Sequence, residues 1–229
     1  MSASPKPVRA FAVLELGENT GGIIFARHAI AARKSGACEY SDGDITSVEC
    51  RRAHWADRYA DQRIVPAADA IAHGWRFECH GCGETMDLGW LYDNDLPVEG
   101  VIGSMDGCQF CCAECKERDA TLKRQQKALG DEFIETLRAI VIRRFGNVEF
   151  CSEAFKPHTY VIEQAGALSI GQASLSFNFP GQIYAPATVI YDWPYSFAWD
   201  GRGPVKLKYS CVNGDKLAFE AFAAATKER

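Results

Sequence analysis

Residues 108–115 read CQFCCAEC, and a second cluster, CHGC, occupies 79–82. A thiolate is both a soft metal ligand and a nucleophile, so clustered cysteines mean metal binding, redox exchange or disulfide stapling. The redox compartment decides among these. The stretch MSASPKPVRAFAVLEL lacks the apolar run of a secretory signal, because Pro5, Pro7 and Arg9 interrupt it. No segment approaches the roughly 18 consecutive apolar residues of a membrane span. The expected location is therefore the cytoplasm, with no membrane partner. Thiols kept reduced there point to metal or redox chemistry rather than to a disulfide framework.

Zinc takes four soft or borderline ligands in a tetrahedron, and two closely spaced cysteine pairs supply them. Cys79 and Cys82 form one pair, with Gly81 and Gly83 permitting a tight backbone. In the second cluster the pairs Cys108–Cys111, Cys112–Cys115 and Cys111–Cys115 are all sterically open. Cys111 with Cys115 is favoured: the segment runs directly into a long helix, which puts Cys115 in the first turn, where the helix dipole stabilises a thiolate. One structural zinc is expected, since thiolate can fill every coordination position. A redox CHGC would need a thioredoxin-like strand before it and a helix after it, and no such unit is visible.

Phe110-Cys111-Cys112-Ala113-Glu114-Cys115 resembles the Phe-Cys-Ser-x-x-Cys element of treble-clef zinc fingers, such as the MYM-type and some ribosomal-protein fingers. The resemblance covers about residues 76–120. It implies a knuckle hairpin giving two ligands and a helix start giving the other two. Cys112 stands where that pattern has serine, so Cys108, Cys111 and Cys112 remain alternatives for completing the site with Cys115.

Other chemistry is thinly represented. The five histidines (His28, His54, His73, His80, His158) form no nuclease pattern behind the second cysteine pair. There is no phosphate loop and no Gly-x-Ser-x-Gly elbow. Asp87, Asp93, Asp95 and Glu99 read as a solvated loop. Cys38, Cys50, Cys151 and Cys211 are isolated and read as small buried hydrophobes. The chain is therefore expected to bind rather than to catalyse.

Three stretches offer binding surfaces. KERDATLKRQQK (116–127) has five basic and two acidic side chains, and Lys116, Lys123 and Lys127 share a helical face suited to a nucleic-acid backbone. The chain's net charge of −5 weighs against that use. YDWPYSFAW (191–199), with Trp193, Tyr195 and Trp199, and GWLYDNDLP (89–97), with Trp90 and Tyr92, offer aromatic anchors for a protein partner.

The elements that must position these residues read as an α+β protein. With 47% hydrophobic and 24% charged residues the chain is an ordinary folded one. Strands are expected at 8–16, 22–26, 45–50 and 75–79, a helix at 27–35 stopped by Gly36, and a short helix from Pro66 to Gly74. A long helix over 116–145 carries Leu122, Leu129, Phe133, Leu137, Val141 and Phe145 as an apolar stripe, with a kink or break expected at Gly130. Antiparallel strands follow at 158–163, 174–179, 187–191 and 205–211. A final helix, capped by Asn213 or Asp215, puts Leu217, Ala218, Ala221, Phe222 and Ala225 on one face. The expected organisation is an α+β unit over 1–78, a zinc module over 79–116, and the long helix with the antiparallel sheet and terminal helix over 117–229.

Taken whole, the chain resembles bacteriophage and prophage proteins to which no function attaches. The shared features are Phe25-Ala26 with Ala31-Ala32-Arg33, the Cys-x2-Cys pair, Phe179-Pro180-Gly181, and the Gly214–Phe222 ending. The resemblance implies a phage-encoded accessory protein. The complete thiolate site without a catalytic set adds the expectation of a host protein as its partner, with nucleic acid as the alternative.

Overall fold

The structure is a computed structural model that describes residues 6–18, 20–151, 153–164, 166–192 and 207–226. Trp193, Tyr195 and Trp199 lie outside the described residues. The fold is α+β, with two compact units, Met1–Ala120 and Thr121–Arg229.

In the first unit β1 (Arg9–Glu15) is the middle strand of an antiparallel sheet, flanked by β2 (Gly21–Ala26) and β3 (Val48–Arg52). Alternation along β1 feeds two cores. Phe11 and Val13 pack with Ala32, Ala37 and Val48 on one face, while Ala10 packs with Ile23, Ala53 and Val65 on the other. Helix α1 (Ala29–Tyr40) covers the first face. It runs through Gly36 rather than stopping there. A Cβ at Gly36 would collide with Val13 Cγ1, so this glycine serves close helix–sheet approach, not termination. The helix ends where the amides of Ser41 and Gly43 both donate to Ala37 O at 2.9 Å, with Gly43 at φ +88°. Cys38 lies on the exposed side of α1 and is no core residue.

β3 starts at Val48, three residues later than expected. Asp44 accepts the Thr46 amide (2.8 Å) and the Thr46 and Ser47 hydroxyls (2.6 Å each), winding 45–47 into a 3-10 turn. The Ser47 and Thr46 donors hold the Asp44 carboxyl down at about 2. Asp57 ties the sheet to the next turn by accepting the Ala10 amide (2.8 Å) and both Arg52 guanidinium nitrogens (2.6 and 3.0 Å). Helix α2 (Ala67–Ala72) opens at Pro66 as expected. β4 (Phe77–Glu78) pairs with β5 (Thr85–Met86), so the strand is shorter than the 75–79 alternation implied. Asp87 caps α3 (Leu88–Asp93) through the Trp90 amide at 2.8 Å, making a helix of much of the 89–97 segment.

Helix α4 (Ala113–Phe145) is a single 33-residue element that begins three residues before the expected start. Gly130 does not break it. The glycine is buried, and a Cβ there would sit 2.5 Å from Thr159 Oγ1. In the second unit Ile134, Leu137, Val141 and Phe145 of α4 are buried, while Leu129 and Phe133 are partly so. They pack on a meander of order β6–β7–β8–β9: β6 (His158–Gln164), β7 (Ala167–Phe177), β8 (Ala187–Asp192) and β9 (Leu207–Ser210). β7 starts seven residues before the 174–179 alternation. The pairing skips Gly171 as it passes from Tyr160–Gln172 to Val161–Ile170, a one-residue bulge that hides the earlier half of the strand from a simple period-two reading.

Helix α5 (Lys216–Ala225) brings Phe219 and Phe222 against Phe145 and Phe179. Asp215 precedes it but does not cap it. Its buried carboxylate instead accepts the amides of Ile183, Tyr184 and Ala185 at 2.9, 2.9 and 3.0 Å. Burial opposes its ionisation, and these three donors outweigh that, holding the carboxyl below its ordinary range. Among the described residues no helix is long and apolar enough to cross a membrane.

Candidate metal centre

Two turns and a helix start bring the cysteines together. In the β4–β5 hairpin the Cys79 amide donates to Glu84 O (2.8 Å) and the Gly83 amide to Cys79 O (2.8 Å). Gly83 sits at φ +78°, a conformation that disfavours a side chain. A second turn closes where Ile102 and Phe110 exchange backbone bonds at 2.9 Å. Inside it the side-chain Nε2 of the buried Gln109 donates to Ser104 O (2.6 Å) and Met105 O (3.1 Å). The His80 amide donates to Gln109 O at 2.9 Å and joins the two turns. Cys111 follows directly, and α4 carries Cys115 in its first turn.

The Sγ atoms of Cys79, Cys82, Cys111 and Cys115 all lie within 4.8 Å of one another. Cys111 and Cys115 are 3.4 Å apart, and Cys82 and Cys111 are 4.0 Å apart. A tetrahedral ion with bonds of about 2.3 Å places its sulfurs about 3.8 Å apart, so the cluster matches a single ion. An iron–sulfur cluster, whose cysteines attach to different irons, would spread them further. Cys79, Cys111 and Cys115 are buried in an apolar shell that includes Ile71, Met86, Leu91 and Phe110. This four-thiol cluster can hold one metal ion, and its ligand type and geometry fit zinc.

The thiols' electrostatics argue the same way. Burial works against ionisation of Cys79, but N–H donors outweigh it, among them those of Cys111 (3.3 Å) and Gly81 (3.4 Å), and bring the thiol down to about 7. Burial pushes Cys115 up to about 12, and burial together with the neighbouring sulfurs pushes Cys111 up as well. Three buried sulfurs in contact are an unfavourable set of anions on their own. A divalent cation at their centre resolves the conflict.

Gly81 shows how closely the parts fit. A Cβ there would lie 2.5 Å from both the Cβ and the carbonyl oxygen of Cys115. The hairpin thus rests on the backbone of the first turn of α4. Of the alternates, Cys108 is exposed and outside the cluster. Cys112 Sγ lies 3.7 Å from Cys111 Sγ but outside the quartet. The Cys115 amide is the chief cause holding the Cys112 thiol below its usual range.

The remaining candidates are dispersed. Cys50, Cys151 and Cys211 are half-buried, and burial pushes each thiol up. Lys116, Lys123 and Lys127 are exposed along α4, with Lys127 paired to Asp131. Trp90 packs against the metal-site core, whereas Tyr92 is 83% exposed. One feature had escaped the motif reading: between Phe77 and Cys115 there are eight acidic residues and no lysine or arginine. The whole-chain charge conceals it.

No protein-family model matches the chain, and neither a curated protein nor a solved structure shows significant similarity to it.

Proposed function

We propose that this is a zinc-stabilised binding protein, in which one structural ion holds residues 79–116 in shape. In this reading it is a cytoplasmic, phage-encoded accessory protein that engages a host protein without catalysing a reaction. The observation that carries the reading is the convergence of Cys79, Cys82, Cys111 and Cys115 within 4.8 Å. Four thiolates complete a tetrahedron and leave no position for a reactive water, which is the signature of a structural zinc. Elemental analysis of the reduced, purified chain should give one zinc per chain, and a strong chelator should unfold the region around 76–120. A metal-free chain that stays folded would refute the structural role. Affinity capture from host cells, with nucleic acid digested, should retain a stoichiometric protein partner.

A second reading takes Lys116, Lys123 and Lys127 as a nucleic-acid contact, supported by their exposure along α4. It predicts affinity that falls steeply with salt and weakens in Lys123→Ala and Lys127→Ala. The pairing of Lys127 with Asp131 and the adjoining acidic segment weigh against it.

A further inference from the structure

The hairpin that carries Cys79 and Cys82 also forms one wall of a cleft. This cleft has a volume of about 470 Å³. Its apolar lining comes from Leu14 of β1 and from Trp75 and Phe77 at the entry to the hairpin, and its carboxylates are Glu18 and Glu78. Trp75 and Phe77 are only half-buried, and both glutamates are exposed. Arg76 also borders the cleft and already has an interaction partner.

Charge narrows what this cleft can accept. Of the eight acidic residues between Phe77 and Cys115, all but the half-buried Asp87 are exposed, and no lysine or arginine offsets them. A divalent ion held by four thiolates adds two further negative charges to the same segment. Two carboxylates against the single cation Arg76 leave the lining net acidic. A polyanion therefore meets a predominance of like charge, whereas a cation is attracted and then meets aromatic rings and carboxylates together.

We propose that the cleft is a docking site for a cationic segment of a protein partner, with an arginine or lysine side chain seated against Trp75 and Phe77 and its charge toward Glu18 and Glu78. The proposal rests on the reading of the chain as a binding protein and names the chemistry of the partner. Because Phe77 and Glu78 immediately precede Cys79, the metal that shapes the hairpin also shapes the cleft wall.

The test is fluorescence anisotropy with the zinc-loaded full chain and a fluorescein-labelled peptide of alternating arginine and alanine. A peptide with citrulline in place of each arginine serves as the neutral control. Saturable binding of the arginine peptide is expected, with none for the citrulline peptide. E18Q/E78Q should weaken binding about five- to tenfold at low salt without changing the thermal melt, in keeping with two partly exposed ion pairs. D93N/D95N, which removes the same charge from α3 and the residues after it, should change binding less than about twofold. Equal losses in the two double variants, no loss in E18Q/E78Q, or no saturable binding would overturn the cleft as the site. Host-cell capture separates the two levels of inference. If E18Q/E78Q retains the same partner as the wild type, the cleft assignment fails and the binding-protein reading stands. If neither peptide nor host protein binds, both fall.

Discussion

Gly81→Ala isolates the contact between the hairpin and α4. Its added methyl would lie 2.5 Å from the Cβ of Cys115, 2.5 Å from its carbonyl oxygen and 2.7 Å from its carbonyl carbon. Non-bonded carbons settle at about 3.5–4.0 Å, so hairpin and helix must part by about 1 Å. The obstacle is backbone and cannot rotate away. Metal–sulfur distances tolerate about 0.2 Å, which makes that displacement several times too large for an undisturbed site. Zinc affinity should fall about 10- to 100-fold, and overpacking should cost about 1–3 kcal/mol of stability. Competition against a chromophoric zinc chelator measures the first quantity, and denaturant unfolding the second. Two neighbouring glycines calibrate the result. Gly83 has nothing within 4 Å of an added Cβ but sits at φ +78°, so alanine there costs only backbone strain of about 1 kcal/mol. Gly100 is free of both problems, its nearest neighbour being Pro97 at 3.5 Å, so Gly100→Ala should match the wild type. A Gly81→Ala protein that holds zinc as tightly as Gly100→Ala would refute the packing argument.

Cys111→Ser should lose tight zinc binding while Cys112→Ser keeps one ion per chain; reversed results would put Cys112 in the quartet. Zinc affinity should rise with pH: burial keeps Cys111 and Cys115 protonated at neutrality, so both release protons on binding, and below about 7 Cys79 also holds a proton that must leave. Calorimetry in buffers of different ionisation enthalpy counts those protons, and a pH-independent affinity would contradict the assignment. Leu137→Ala empties a fully buried site on α4 and should cost about 2–5 kcal/mol in denaturant unfolding while zinc stoichiometry stays at one.

The four-cysteine arrangement was readable from spacing because Cys-x2-Cys and a helix-start pair are local geometries. The choice of Cys111 over Cys108 follows from the turn bonded between Ile102 and Phe110, which leaves Cys108 outside, and that turn depends on a buried glutamine that no motif announces. The fold class was legible for a similar reason: the α4 stripe and the strand alternations are periodic. The misreadings share a cause, which is that a residue's local propensity was overridden by a distant partner. Gly36 looks like a helix stop but accommodates Val13. Asp215 looks like a cap but binds amides about thirty residues upstream. Gly171 conceals a bulge that depends on β6. The acidic run between Phe77 and Cys115 was present in the sequence all along, but became meaningful only when an aromatic cleft was found beside it.

The exposure of Cys38 and Cys108, both outside the quartet, provides a built-in clock for metal occupancy. These thiols should alkylate at once whether or not the ion is bound, setting a fixed baseline. The half-buried Cys50, Cys151 and Cys211, whose protons are held more tightly, should lag far behind. Cys112, outside the quartet but 3.7 Å from Cys111 and held below its usual range, would label alongside the coordinating sulfurs. In Cys112→Ser protein, any further rapid labelling released by a chelator then comes from the coordinating sulfurs. Intact-mass spectrometry of briefly alkylated protein can therefore report, molecule by molecule, what fraction of a preparation carries its ion.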